Sequence, residues 1–452
     1  MKSNSSEDIA NKTNKTGQLF FNLGIFFLAT ALPISGLFLI VSIVISFFET
    51  KFYLLKDRWN LSIIFIGGLF IISSIKFSLV KLDYQLLSFS KTSSSLDLFN
   101  WLPLFVLFIS SQYYLRNQSQ RELFSKYLIS GTVPVLISCI LQDKFNIYGP
   151  FKTLFGLIVF FNKIQTEGSS LGVSGLFSNP NYTGIWLTLS LPILFLIISK
   201  IKSFNFKKLT TIVILTFLIY LIFLTLSRNA IAGLISTVLI VFGIKNLLFL
   251  FAFLTIIYFS FELVGSFIPI KIFNLADEFQ IGAFLNKVDI TNISNIIEFT
   301  RIKIWINTLN LIMQKPFFGF GASTFPIIYN YHIYTPILDL QQIQHAHNMP
   351  LQLAFEYGLF VSIVLTAFIT ILFYKSWITI FEIKNQTYSY LHNKCFLAAC
   401  LVAILNHAND VTYYDGKISI LIWILFAGLK CIFDETTKFK NKKDLRISAY
   451  LN

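Results

Sequence analysis

Two of the chain's five histidines, His345 and His347, stand two positions apart in the run from Gln344 to Pro350. Imidazole is the side chain whose ordinary titration falls nearest neutral pH, so such a pair suggests either a metal site or proton transfer. A metal needs further ligands, and none with matching spacing is apparent, so no metal and no other cofactor is expected. His347 is read as a proton acceptor, with His345 and Asn348 as residues that orient it. Glu356, Tyr357 and Gly358 follow a few residues later.

Two arginines add anion chemistry. Arg228 falls in a very short connection between apolar runs, and Arg301 in a longer polar segment. Each can be read as a snorkelling anchor at a membrane boundary or as a clamp on an anion. The planar guanidinium donates paired hydrogen bonds that suit phosphate, and the placement of both favours the clamp. Asn179 and Asn181 flank Pro180, a pattern that starts a helix; their amides either cap it or line a polar mouth. Asp410 and Asp415 sit in a short polar run after His407, as holders of substrate hydroxyls or as a solvated turn. Gly319 and Gly321 are a weak signal and need not cradle phosphate.

The elements that must position these residues are spanning helices. The chain has 55% hydrophobic and only 13% charged residues, whereas soluble domains carry about 25% charged. A span needs about 20 apolar residues. The run Leu19 to Phe48 is too long for one and holds Pro33 and Gly36 near its middle, so it is read as a pair. Further runs fall near 61–80, 100–116, 124–142, 182–199, 209–227, 229–244, 246–264, 348–374, 395–409 and 417–433. The expected fold is therefore all-α and polytopic, with about twelve spans. The organisation is a polar tail (1–16), N-terminal spans (17–264), a long loop (265–346), C-terminal spans (347–433) and a basic tail (434–452). Another long connection runs from about 143 to 181. Ile290 to Met313 has apolar residues at helical spacing and is expected to lie on the membrane surface.

The net charge of +14 comes as short clusters between apolar runs, which serves topology rather than nucleic-acid binding. Lysine and arginine bias places both termini in the cytoplasm and the two long segments on the outer side. No cleavable signal peptide is apparent, because the first apolar run is too long. Cys139, Cys395, Cys400 and Cys431 lie in or beside apolar runs and are expected to be buried thiols.

Taken together, these motifs resemble the O-antigen ligase and O-antigen polymerase superfamily, most closely over residues 170–430. The ligase pattern is His, then Asn, Ser or Gln, nine residues, Gly, two residues, then Gly, Thr or Val. His347, Asn348, Gly358 and Val361 fit it. Arg228 fits the family's short-loop arginine, and Arg301 that of its long periplasmic loop. The stretch from Gly175 to Asn181 and the Gly319–Gly321 stretch are also familiar there, and the run from Asp410 to Gly416 looks like that of cyanobacterial members, some labelled bicarbonate transporters.

The resemblance implies an inner-membrane glycosyltransferase. Its donor would be a glycan on undecaprenyl diphosphate and its acceptor a lipid A-core hydroxyl, or another repeat unit in a polymerase. Arg228 and Arg301 would bind the diphosphate and His347 would be the catalytic base of an inverting, metal-independent reaction. His345, Asn348, Asn179, Asn181, Gly358 and Asp410 would support them. A transporter is the main rival; it would want charges near the bilayer midplane. Lys76, Glu262 and Glu356 are the main charges within apolar runs, and the polar residues gather at the mouths instead. A non-catalytic membrane scaffold would not need this arginine and histidine set.

Overall fold

Pro33 stands at the start of a helix, where its missing N–H costs nothing, and so divides the first apolar run into α1 (Lys15–Phe27) and α2 (Leu32–Thr50). The computed structural model describes residues 14–79, 96–164, 172–248, 300–333, 343–382 and 388–451. The chain continues through α3 (Arg58–Leu79), α4 (Leu102–Leu115), α5 (Gln118–Phe145), α6 (Pro180–Lys200), α7 (Phe206–Leu224) and α8 (Arg228–Phe242). Beyond these come α9 (Thr300–Ile312), α10 (Phe325–Ile333), α11 (Met349–Tyr357), α12 (Leu359–Glu382), α13 (Tyr388–Asn409) and α14 (Gly416–Leu451). A short antiparallel hairpin, β1 (Phe151–Thr153) with β2 (Ile158–Phe160), is the one sheet among the described residues.

The fold is all-α and polytopic, and nine helices among the described residues are long and apolar enough to cross a membrane. α8 is apolar but shorter. The run 246–264 falls mostly outside the described residues, as does the first half of the helix expected from Ile290. Its second half is α9, which buries Ile304, Leu311 and Ile312 and exposes Ile302, Ile306 and Leu309. The basic segment 434–452 continues α14 as helix to Leu451.

One expected span is corrected. The run 348–374 is broken at Gly358, whose φ of 93° ends α11. The spanning helix is α12, and the nine-residue α11 rises only about 14 Å, too short to cross. α6, α8 and α13 pack together, as do α4 and α14. Their shared core is continuous and holds Trp186, Phe396 and Trp423 at full or nearly full burial. All four cysteines are buried and free, as expected.

Both described termini lie at one end of the bundle. Asn14 donates its N–H to Tyr113 Oη near the C-terminus of α4 (2.9 Å), and Lys440 of α14 pairs with Glu382 at the end of α12 (2.8 Å). That end also carries the pairs Lys200–Glu122 and Arg121–Glu435. The histidine motif is at the other end.

Candidate active site

The segment 343–348 enters α11 through Asn348, whose side chain caps the helix by accepting from Leu351 N–H (2.9 Å). Asn348 Nδ2 also donates to Ala408 O (2.9 Å), which ties the histidine segment to the end of α13. The next connection, 410–415, then presents Asp410. Its Oδ1 lies 3.0 Å from His347 Nδ1, across 63 positions of sequence. Asp410 is buried and His347 keeps 30% of its side chain exposed. The solvated-turn reading of Asp410 is thereby corrected.

Burial pushes the Asp410 carboxyl up, but the His347 hydrogen bond and the nearby positive charge of Arg301 outweigh it. The net position is below the usual carboxylate value, so Asp410 is ionised at neutral pH. An ionised carboxylate only accepts hydrogen bonds. His347 Nδ1 therefore carries the proton, and Nε2 is left as the basic lone pair. His347 itself has a left-handed backbone, φ 50°, a conformation uncommon outside glycine that is held here by its neighbours. Its N–H donates to His345 Nδ1 (3.3 Å). Burial drives His345 down to about 4, so it stays neutral at pH 7 beside its partner.

Arg301 lies near the same pair, and Arg228 lies near Arg301. Arg301, on the first turn of α9, is half-buried. Burial lowers its guanidinium, Asp410 opposes that, and the Arg228 charge adds to it. Arg301 thus lies within electrostatic reach of both Asp410 and Arg228. Arg228 opens α8 behind the Ser227 cap, where backbone N–H groups also point outward and favour anions. Asn181 Nδ2 reaches Asp410 Oδ2 at 3.4 Å, whereas Asn179 spends its side chain capping α6 through Asn181 N–H (2.8 Å). Asp415 caps α14, accepting from Lys417 N–H at 3.0 Å.

His345, His347 and Asp410 together offer ligand atoms within 4.8 Å of one another, enough to hold a metal ion. The absence of a third ligand, on which a metal was set aside, is corrected: the third ligand is 63 residues away from His347. What the geometry shows directly is that the Asp410 oxygen and His347 Nδ1 are already spaced as hydrogen-bond partners.

Behind the histidines lies a network that spacing did not reveal. Gln352 Oε1 accepts from Ala346 N–H (2.8 Å), and Gln352 Nε2 donates to Glu356 Oε1 (2.9 Å). Glu356 also accepts from Ser323 N–H (3.1 Å) and from Tyr414 Oη (2.8 Å), the latter on the Asp410 connection. One buried carboxyl thus braces both segments that carry the His347–Asp410 pair. The i, i+4 spacing of Gln352 and Glu356 on one helix was the available signal.

Burial, with the nearby Asp97 carboxyl, pushes Glu356 up to about 8 against those donors. A raised carboxyl leaves its contribution intact below the ordinary value and loses it as pH rises through the folded one. Wild-type stability should therefore fall between about pH 4.5 and 8 and level off above that, and Glu356→Gln should flatten that fall while retaining activity. Glu356→Ala leaves three donors without their acceptor, one of them, Gln352 Nε2, fully buried at a cost of about 1–3 kcal/mol, and should lose activity. Thermal unfolding across pH, read beside turnover, checks both. An equally steep fall in the glutamine variant would remove Glu356 as the source.

Residues 212–366 match the O-antigen ligase family. The matched segment holds Arg228, Arg301, His345, His347, Asn348 and Gly358, and supports the superfamily that the motifs indicate. Asn181 and Asp410 lie outside it and join the site through the fold. No curated protein matches the chain. The family is one of membrane glycosyltransferase-type enzymes acting on lipid-linked glycans, which agrees with a polar site at one end of a spanning bundle.

Proposed function

We propose that this chain is an O-antigen ligase-like enzyme. It transfers a glycan from undecaprenyl diphosphate to a hydroxyl of a lipid A-core or similar acceptor. The observation that carries the reading is the His347–Asp410 pair beside two arginines at a helix N-terminus. The acceptor O–H gives its proton to His347 Nε2. The oxygen attacks the anomeric carbon as the bond from that carbon to the phosphate oxygen breaks. The electron pair of that bond leaves on the diphosphate, whose growing charge Arg228 and Arg301 stabilise. Asp410 stabilises the imidazolium that results. A single displacement inverts the anomeric carbon, and no step calls for a metal.

The reaction is assigned to the outer face of the inner membrane, with both termini in the cytoplasm. Support comes from the basic residues around the end opposite the site, such as Arg121, Lys200 and Lys440. A polymerase uses the same donor chemistry with a second repeat unit as acceptor. A bicarbonate-type transporter is disfavoured because the charged residues described above gather at the two ends of the bundle, whereas transport wants charge near the bilayer midplane.

The test is transfer by purified protein in lipid, with a diphosphate-linked glycan donor, a panel of acceptors and a chelator present. Transfer that survives chelation supports the scheme, and the productive acceptor separates ligase from polymerase. Activity abolished by chelation and restored by a divalent ion would replace the base mechanism with a metal one. In the same assay Arg301→Lys should lose about tenfold or more, because lysine keeps the charge but not the paired donors. Unchanged turnover in that variant would remove Arg301 from diphosphate binding.

A further inference from the structure

α3 and α12 run antiparallel. Ser73, late in α3, donates to Tyr357 O (3.0 Å) just before α12 begins, so the start of α3 meets the later part of α12. Between them, at the end of the bundle away from His347, lies an open groove of about 700 Å³. Its walls are apolar and exposed: Leu61 and Phe65 from α3, Ile363 and Ile371 from α12. Its mouth holds two cations, Arg58 and Lys375. Neither has a carboxylate partner among the described residues. The adjacent acid, Asp57, is taken by Lys430 at 3.0 Å. Lys375 Nζ lies 5.7 Å from the Trp59 ring, an amphipathic side chain of the kind that marks a membrane–water boundary.

The dimensions select the occupant. From Ile363 to Lys375 the α12 wall rises about 18 Å, and half of a bilayer's hydrocarbon core is about 15 Å. The groove is thus one leaflet deep, with unpaired positive charge at headgroup level and apolar wall below it. We propose that it is a binding site for an anionic phospholipid of the leaflet opposite the active site, with the phosphate at Arg58 and Lys375 and an acyl chain along the wall. The site is separate from the diphosphate position, which belongs to Arg228 and Arg301 at the other end, and it stands whether or not the proposed reaction does.

Each basic residue near the surface favours an anionic lipid by about 1 kcal/mol, so two predict roughly a thirtyfold preference. The full chain is placed in nanodiscs of equal phosphatidylglycerol and phosphatidylcholine, and retained lipid is read by native mass spectrometry. The expected result is that preference in wild type, its fall to within threefold in Arg58→Ala/Lys375→Ala, and its survival in Arg58→Lys/Lys375→Arg. Ala367→Trp, which fills the apolar wall, should reduce retained lipid with the charges intact. Equal retention of the two lipids by wild type overturns the proposal, as does an unchanged preference in the double alanine variant. Displacement of the lipid by soluble glycerol phosphate at equal concentration would mark a site for a free anion, and also overturns it.

Discussion

Replacing His347 with alanine should lower glycan transfer by about 10²- to 10⁴-fold, the range supplied by a positioned general base. The protein should remain folded, since the ring is partly exposed and its main side-chain contact is Asp410. Asp410→Asn should cost nearly as much. An asparagine can donate to Nδ1, which moves the imidazole proton onto Nε2 and removes the basic lone pair. Because the two residues act as a unit, the double variant should be little worse than either single one. Initial rates at saturating donor, with folding checked by size exclusion, read all three. Additive losses in the double variant would separate Asp410 from His347, and full activity in His347→Ala would remove the base altogether.

The second large effect is expected from a residue that touches no substrate. Gly358 has φ 93° and ψ 161°, a region essentially confined to glycine that costs other residues about 1–3 kcal/mol. A Cβ there would also lie 2.1 Å from Phe317 O. The contact arises because the backbones of 316–321 and 355–359 run side by side. Phe320 N–H donates to Phe355 O (2.7 Å), Gly321 N–H to Glu356 O (2.9 Å) and Leu359 N–H to Pro316 O (2.7 Å). Gly319 meets the same constraint, with its Cβ position 2.5 Å from Phe355 O. Gly358→Ala should therefore unfold or misplace α11 and lose both thermal stability and transfer. Gly36→Ala is the control: it lies in α2 with open space around it and should be neutral or slightly stabilising. Equal melting temperatures for the two variants would show that this close approach does not govern stability.

The glycine pair shows how a motif can be legible while its reason is not. Gly319, Gly321 and Gly358 stand out in the sequence, where the first two are a weak signal that need not mean a phosphate cradle. The fold shows two backbones approaching each other instead. Glu356 is similar. Read along the chain it is one charge in an apolar run, and only the arrival of Ser323 and Tyr414 makes it a brace.

The sequence by itself determined that this is a polytopic helical membrane protein and where most spans lie, and it singled out the histidines and arginines that are candidates for chemistry. Those properties follow from local composition and period, since a span is a run of apolar residues and Pro33 divides a helix wherever it packs. Only the tertiary structure decided that Asp410 partners His347, that Asn181 approaches Asp410 across 229 positions, and that Arg301 lies within electrostatic reach of Arg228. It also decided that a third possible metal ligand exists and that two cations share a groove at the far end. These are facts about which helix ends meet, set by packing between segments whose separation leaves no period to read.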